Sequence, residues 1–397
     1  MATAHRSALR CMRRTVFQTR RSIPRRCSNR AAAILWALAT MLGCSIEDSD
    51  RVLEDVAVEP APPASTFRLR VLSFNTWSVP MREDHDELLA RCADAVAAVD
   101  ADVVALQEVW RDSDAEVFAA AFAERGLRYE VHLGSTRPLQ RGSTGLVLAS
   151  RYPIVSHRFE PFRVGSLPYT PWPPDWYATK GALEVTLETP AGPVRVVDTH
   201  VHAAYGEGEN EGHRLGQTRE LAAWLSGSTV PLILVGDFNT RPGELPFEPL
   251  EVFSMIGRSH VDAVFLRDGP TTRLFGTAIE QVLTETVALR SGRRTPLSDH
   301  RGVLVEVAFE PAPGRISDRP QSPAMARAVA RELRRANAHR TVGRAVTAVL
   351  LLVMFFVVYR LRRRSLTLVL WLALLACWAA YHGWIIGPLM VEWVTQL

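Results

Sequence analysis

Lysine is nearly missing from this chain: of its 46 basic residues only Lys180 is one, and the rest are arginine. A composition that keeps a single ammonium points to a task for a compact point charge, such as a phosphate contact. Cysteine is scarce as well. Of five in 397 residues, only Cys92 lies in the central part, which excludes an internal disulfide there and leaves the core to apolar burial, with Cys92 itself a core residue. No repeat of fixed period occurs, which excludes solenoids and propellers. The middle also lacks a basic footprint. From Phe67 to Glu310, 24 Lys+Arg face 33 Asp+Glu, a net of −9. Proteins that grip long nucleic acid show the opposite sign, so no nucleic-acid partner is expected, and no protein partner can be inferred.

The overall charge of +4 arises in the flanks. Residues 1–44 hold nine Arg and no acid, followed within that stretch by the apolar run Ala31–Leu42, short for a bilayer span and suited to an export signal. The run ends at Met41-Leu42-Gly43-Cys44, which resembles a bacterial lipoprotein box and makes Cys44 the candidate for lipidation; an ordinary signal anchor is the other reading. Residues 45–66 are acidic and rich in Pro and Ala, as a tether is. At the far end, residues 311–344 form a basic linker in which Val329, Leu333 and Ala336 recur at helical spacing opposite Arg327, Arg331, Arg334 and Arg335. Such a helix suits an anionic lipid surface, and a solvated basic helix equally. Ala345–Tyr359 and Leu366–Val391 are apolar and flank Arg360-Leu361-Arg362-Arg363-Arg364. They read as two transmembrane helices within residues 345–391, with the basic turn cytoplasmic and the domain at 67–310 extracytoplasmic.

Inside residues 67–310, β-rich runs at Leu69–Phe74, Val103–Leu106, Gly145–Ala149, Leu183–Leu187, Val194–Thr199, Leu232–Val235 and Val303–Phe309 alternate with helical patterns at His85–Val99, Ser113–Glu124 and Glu211–Leu225. That alternation predicts a layered α/β fold. Polar residues recur where an apolar run ends, the place where a rigid sheet can hold a side chain. Five such tips occur: Asn75 in RVLSFNTW, Gln107-Glu108 in DVVALQEVW, His200 and His202 in VRVVDTHVHAAY, Asp237 and Asn239 in LILVGDFNTRPGE, and Asp299-His300 in TPLSDHRGVLVEV.

In this order the tips resemble the endonuclease/exonuclease/phosphatase superfamily over nearly all of residues 68–309, most specifically in Gly236-Asp237-Phe238-Asn239 and Ser298-Asp299-His300. The resemblance implies a four-layered α/β sandwich, two packed β-sheets flanked by helices, to which the C-terminal transmembrane hairpin is added. It implies a phosphodiesterase that uses Mg²⁺, with Mn²⁺ as a substitute. Mg²⁺ takes oxygen ligands and keeps waters, so one or two carboxylates suffice; Glu108, Asn75 and Asp299 are the ligands implied. The same resemblance assigns His300 as general base, Asp237 and Asn239 to orienting the water and a phosphoryl oxygen, and Asp299 also to holding the site. His200 would donate to a phosphoryl oxygen or to the leaving alkoxide, and His202 would stand behind it. The superfamily's Arg-Ile-Asp-Tyr run supplies an Asp that orients the base. The best match found is Ala278-Ile279-Glu280, which assigns that role to Glu280 from one methylene further out.

Phe74-Asn75-Thr76-Trp77, Leu106-Gln107-Glu108-Val109-Trp110, Thr199-His200-Val201-His202 and Arg294-Thr295-Pro296-Leu297-Ser298 resemble the neutral sphingomyelinases within that superfamily, as does a two-span C-terminal hairpin. The resemblance implies phospholipase C chemistry on sphingomyelin or a related sphingolipid, releasing ceramide and a phosphorylated headgroup. Between Val164 and Lys180 an aromatic, Pro-rich loop places Trp172 and Trp176 for contact with headgroups, and Asp175 with Lys180 resembles an Asp/Lys pair that gates the site in one branch of those enzymes. Two other readings stay open: a nuclease or other phosphodiesterase, and a catalytically weak protein that only docks on lipid.

Overall fold

The computed structural model describes residues 66–79, 82, 84–132, 144–164, 175, 178–204, 211–241, 243–313, 327, 344–353, 355 and 366–380. The export segment with Cys44, nearly all of the tether, Trp172 and Trp176, and most of the basic linker lie outside these residues.

Runs rich in Val and Leu pair into two six-stranded mixed sheets. The first comprises β1 (Arg68–Ser78), β2 (Val103–Val109), β3 (Tyr129–His132), β4 (Gly145–Ser150), β11 (Thr272–Val282) and β14 (Gly302–Pro311), in the order β11-β14-β1-β2-β4-β3. The second comprises β5 (Ile154–Pro161), β6 (Gly181–Thr189), β7 (Gly192–His200), β8 (Leu232–Asp237), β9 (Ser254–Ser259) and β10 (Asp262–Arg267), in the order β5-β6-β7-β8-β10-β9. A hairpin of β12 (Thr286–Ala288) and β13 (Arg294–Pro296) stands before β14.

Period-two alternation decides the layers. On β1 and β2, Leu69, Val71, Val103 and Ala105 face the second sheet, where they meet Val185, Val196, Ile233 and Val235 in a core with no solvent exposure at these positions. Their neighbours Leu72, Phe74, Val104 and Leu106 face outward and are covered by α1 (His85–Ala98) and α2 (Asp112–Glu124). The outer face of the second sheet, with Val197, Leu232, Leu234 and Phe265, is covered by α3 (Glu211–Leu225) and a 3₁₀ turn at Leu245–Val252. The result is the four-layered α/β sandwich expected from the sequence. Each fully buried Val or Leu contributes about 1.5–3 kcal/mol, so disulfides are unnecessary. Cys92 is free and buried against α2 and the first sheet, and burial pushes its thiol up to about 12.

Helix α1 joins β1 to β2 and α3 joins β7 to β8, and both strand pairs are parallel. Parallel pairing brings Asn75 beside Gln107 and His200 beside Asp237 at the C-terminal ends of the four strands. Gly236 makes the β7–β8 approach feasible: it has φ 141°, and a Cβ there would lie 2.0 Å from the Thr199 carbonyl oxygen.

At the C-terminus, α4 (Leu366–Ala380) has 15 residues and 344–353 are helical. Among the described residues no helix is long and apolar enough to cross a membrane. The remainder of both anticipated spans lies outside the described residues.

Candidate active site

Four strand ends and two loops converge on one edge of the sandwich. Asn75 sits at its centre, fully buried, and its Nδ2 donates to Glu108 Oε1 at 3.2 Å and to Asp237 Oδ2 at 2.9 Å. Its Oδ1 accepts the Trp77 N–H at 3.0 Å, which fixes which end of the amide faces the carboxylates. Ser298 Oγ donates to the Asn75 carbonyl at 2.7 Å and accepts the His300 N–H at 3.1 Å. That serine clamps the Ser298-Asp299-His300 turn onto β1.

The imidazole of His300 is held at both ends. Its Nδ1 donates to Asp262 Oδ2 at 2.9 Å, while Nε2 lies 3.5 Å from Asn75 Nδ2 and 3.8 Å from Asp237 Oδ2. Burial alone would lower the His300 pKa, but the carboxylates of Asp262 and Asp237 outweigh it and hold it well above the ordinary histidine value. The structure corrects the sequence reading here. Glu280 is exposed on β11 opposite Leu304 of β14 and has no part in holding His300. The orienting carboxylate is Asp262, the first residue of β10, which pairs with Asp237 across the antiparallel β8–β10 ladder.

Asp237 also accepts the Asn239 N–H at 2.8 Å, and Asn239 Nδ2 donates to the Val201 carbonyl at 3.0 Å. His200 Nε2 lies 3.4 Å from Asp237 Oδ2 and 3.9 Å from Glu108 Oε1. Burial and then the Lys180 charge lower the His200 pKa to about 3, so it works as a neutral imidazole with its proton on Nε2, facing the carboxylates. A neutral ring can donate one hydrogen bond there and has no second proton to release. Trp110 packs against the same ring at 6.2 Å between centroids.

Lys180 and Asp175 are both buried and joined, Nζ to Oδ1, at 3.0 Å. Asp175 Oδ2 accepts the Ala203 N–H at 2.7 Å, and His202 Nδ1 lies 3.2 Å from it. Burial would raise the Asp175 pKa, but Lys180, then His202 and His200, hold it well below the carboxylate range. His202 thus sits against Asp175. Losing one partner of a buried ion pair leaves the other charge uncompensated, at about 3–5 kcal/mol. Lys180→Met should cost that much in urea denaturation at neutral pH, and adding Asp175→Asn should recover a large part. Additive losses in the double variant would contradict this account.

Glu108 and Asp299 offer carboxylate oxygens that fit a hard divalent cation, whereas Asn75, expected as a third ligand, gives its Oδ1 to the Trp77 N–H and turns its Nδ2 to the carboxylates. Burial and the neighbouring Asp299 carboxylate push Glu108 up to about 7, offset only partly by Lys180 and the Asn75 hydrogen bond. A carboxylate so crowded by another at a site mouth is what a cation relieves. Glu108 also holds a left-handed backbone, φ 63°, at the end of its strand, a strain that aims its side chain into the site. Asp237, Asp262 and His300 also approach within 4.8 Å of one another, a spacing a metal could use. The His300 Nδ1–Asp262 Oδ2 hydrogen bond already accounts for that approach and engages the nitrogen.

Sequence reasoning thus placed Asn75, Glu108, His200, Asp237, Asn239, Asp299 and His300 around one centre, and the structure brings them together. It missed Asp262, whose run His260-Val261-Asp262-Ala263-Val264-Phe265 carries an acid at the start of an apolar strand.

The sequence model of the Endonuclease/Exonuclease/phosphatase family matches residues 72–300, more than half of the chain. The chain is similar to the inositol phosphosphingolipids phospholipase C of Schizosaccharomyces pombe, at 30% identity over 210 residues covering 51% of this chain and 47% of that protein. It is similar to a putative neutral sphingomyelinase of Drosophila melanogaster, at 26% identity over 192 residues covering 46% and 42%. The chain spans about half the length of the curated relatives it matches. Among solved structures, sphingomyelinase C from Streptomyces griseocarneus aligns with a TM-score of 0.48 and 21% identity, over 61% of this chain and 99% of that one.

Proposed function

This chain belongs to the endonuclease/exonuclease/phosphatase family, and we propose that it is a Mg²⁺-dependent phosphodiesterase of the phospholipase C type that cleaves a sphingolipid into ceramide and a phosphorylated headgroup. One observation carries the reading: Glu108, bridged by the Asn75 amide, and the Asp262–His300 pair meet at Asp237, with Asn75 Nδ2 at 2.9 Å and His300 Nε2 at 3.8 Å from the same carboxylate. The curated relatives, named for sphingolipid substrates, support the choice of lipid.

In this reading Glu108 and Asp299 would hold the cation, with Asn75 Nδ2 fixing the Glu108 carboxylate. When bound, it supplies charge neutralisation at the phosphoryl oxygens and the leaving oxygen. His300 Nε2 takes a proton from the attacking water while Asp262 keeps the ring in the required tautomer. Asp237 and Asn239 orient the water and one phosphoryl oxygen, and His200 Nε2–H donates to another. Water adds to phosphorus, the ceramide oxygen leaves with the bonding pair and takes a proton from solvent water, and the phosphate departs on the headgroup.

The membrane part of the proposal rests on the C-terminus. Val349, Leu352, Phe355, Trp371, Leu374 and Trp378 are each at least half exposed, a display of large apolar side chains that lipid would cover. We place the catalytic domain on the extracytoplasmic side, anchored there by this segment.

The test uses the full chain with vesicles containing sphingolipids, in Mg²⁺ and in EDTA, beside a DNA substrate. Headgroup release that needs Mg²⁺, with DNA left intact, is expected. DNA cleavage without lipid turnover would favour the nuclease. Metal-independent vesicle binding with no release would favour a docking protein.

A further inference from the structure

The β8–β10 register places Asp262 opposite Asp237, and the Phe238 N–H donates to the Val261 carbonyl at 3.0 Å, one rung further out. The next residues, Asn239 and His260, leave that rung opposite each other, both in left-handed conformation with φ 47° and 54°. His260 is exposed at the mouth, close enough for the charges of His300 and Asp237 to act on it. Two residues after Asn239 comes Arg241, also exposed. Its backbone N–H donates to Glu244 Oε2 at 2.9 Å, and the Glu244 N–H returns to the Arg241 carbonyl at 3.2 Å.

The charge balance of this rim is uneven. Glu244 lies 3.7 Å from the guanidinium of Arg214, which is 1% exposed. A buried guanidinium therefore already offsets that carboxylate. The Arg241 guanidinium has no ion pair or side-chain hydrogen bond among the described residues, and its charge acts on His260 at the mouth. Burial and then Arg241 keep His260 below the ordinary histidine pKa, which leaves a neutral ring with one donor and one acceptor. Quaternary ammonium groups are held by aromatic faces and repelled by a neighbouring cation. Hydroxyls beside a phosphate suit an arginine fork with a neutral imidazole.

We infer that Arg241 and His260 form a headgroup subsite beside the phosphoryl centre, selecting a sphingolipid whose phosphorylated headgroup carries hydroxyls, such as a phosphoinositol, over one ending in a quaternary ammonium. The inference rests on the phosphodiesterase reading above and adds the residues that set its substrate class.

The test compares kcat/KM for ceramide phosphoinositol and for sphingomyelin, each dilute in neutral-detergent micelles, so that bulk surface charge is the same for every variant. The full-length chain should prefer the phosphoinositol lipid by at least about tenfold. Arg241→Gln with His260→Leu should remove roughly that preference, through a higher KM for the phosphoinositol lipid, while kcat/KM for sphingomyelin holds or rises. Both side chains are exposed, so the urea midpoint should not move. An unchanged ratio, or equal losses on both lipids, would overturn the subsite while keeping the phosphodiesterase. Turnover of neither lipid by the unaltered chain would overturn the phosphodiesterase reading, and the subsite with it.

Discussion

Asp262→Asn should lower kcat by about 10³-fold with little change in KM, because it removes the carboxylate that fixes the tautomer and position of the base while leaving the binding surface intact. The pH profile gives a second readout. His300 works as a base only when deprotonated, and the Asp262 and Asp237 carboxylates hold its pKa above the ordinary value against the effect of burial. Activity therefore fails as pH drops through that raised value. Losing one of the two carboxylates should move the acidic limb to lower pH even as the plateau falls. Glu280→Gln is the matched control. It alters an exposed side chain on the far side of β14, and should leave kcat within about twofold, as surface changes generally do. A large loss in Glu280→Gln with a small one in Asp262→Asn would reverse the assignment.

Glu108→Gln should separate stability from activity. The folded state holds the Glu108 pKa at about 7 against an ordinary 4.5. A carboxyl raised in this way contributes stability that is present below the ordinary value and lost as pH rises through the folded one. At pH 8 without metal, the ionised side chain thus costs folding an amount on the order of 1–3 kcal/mol. The side chain is only 20% exposed, so solvent screens this modestly. Glutamine keeps the shape and the Asn75 contact without the charge. In EDTA at pH 8 the variant should be the more stable protein, and the difference should vanish near pH 4. Its metal-dependent turnover should fall by about 10²–10³-fold, and saturating Mg²⁺ should no longer raise the melting temperature as it does for the unaltered chain. A variant less stable than its parent in EDTA would mean that Glu108 is held by favourable contacts rather than crowded by Asp299. Such trading of stability for function is common where like charges are gathered to hold an ion.

Both predictions turn on how the site was legible in the sequence. All three domain helices and seven strands were readable to within a few residues, since each is a strongly periodic or continuous apolar run. The strands that escaped notice fall mostly at sheet edges. β5 is exposed or half-exposed along its whole length, and β11 for most of its own, so neither shows the apolar run that marks a buried strand. β10 is different, being buried nearly throughout. It escaped because catalytic side chains were sought where apolar runs end, which holds for strands running toward the site. β10 runs antiparallel to β8, so its first residue is the one at the site. Against the Arg-Ile-Asp-Tyr pattern Ala278-Ile279-Glu280 keeps the isoleucine and an acid, whereas His260-Val261-Asp262-Ala263 keeps the Asp but neither neighbour. Charge pairing across space had no local signal either. The separation of 162 positions from Asn75 to Asp237 is closed only by the stacking of the two sheets, and the buried Arg214 reads in sequence as one more helical arginine. The isolated Lys180 stood out by composition alone, and the structure buries it against Asp175.

The central claim is that water, activated by His300, attacks phosphorus. Turnover of a sphingolipid by the full-length chain in ¹⁸O-labelled water with Mg²⁺ tests it most directly, with both products read by mass spectrometry. One labelled oxygen in the phosphate of the released headgroup and none in ceramide is the expected result, abolished in His300→Ala. Label in the ceramide hydroxyl, or unlabelled headgroup phosphate, would contradict attack at phosphorus and the role given to every residue around Asp237.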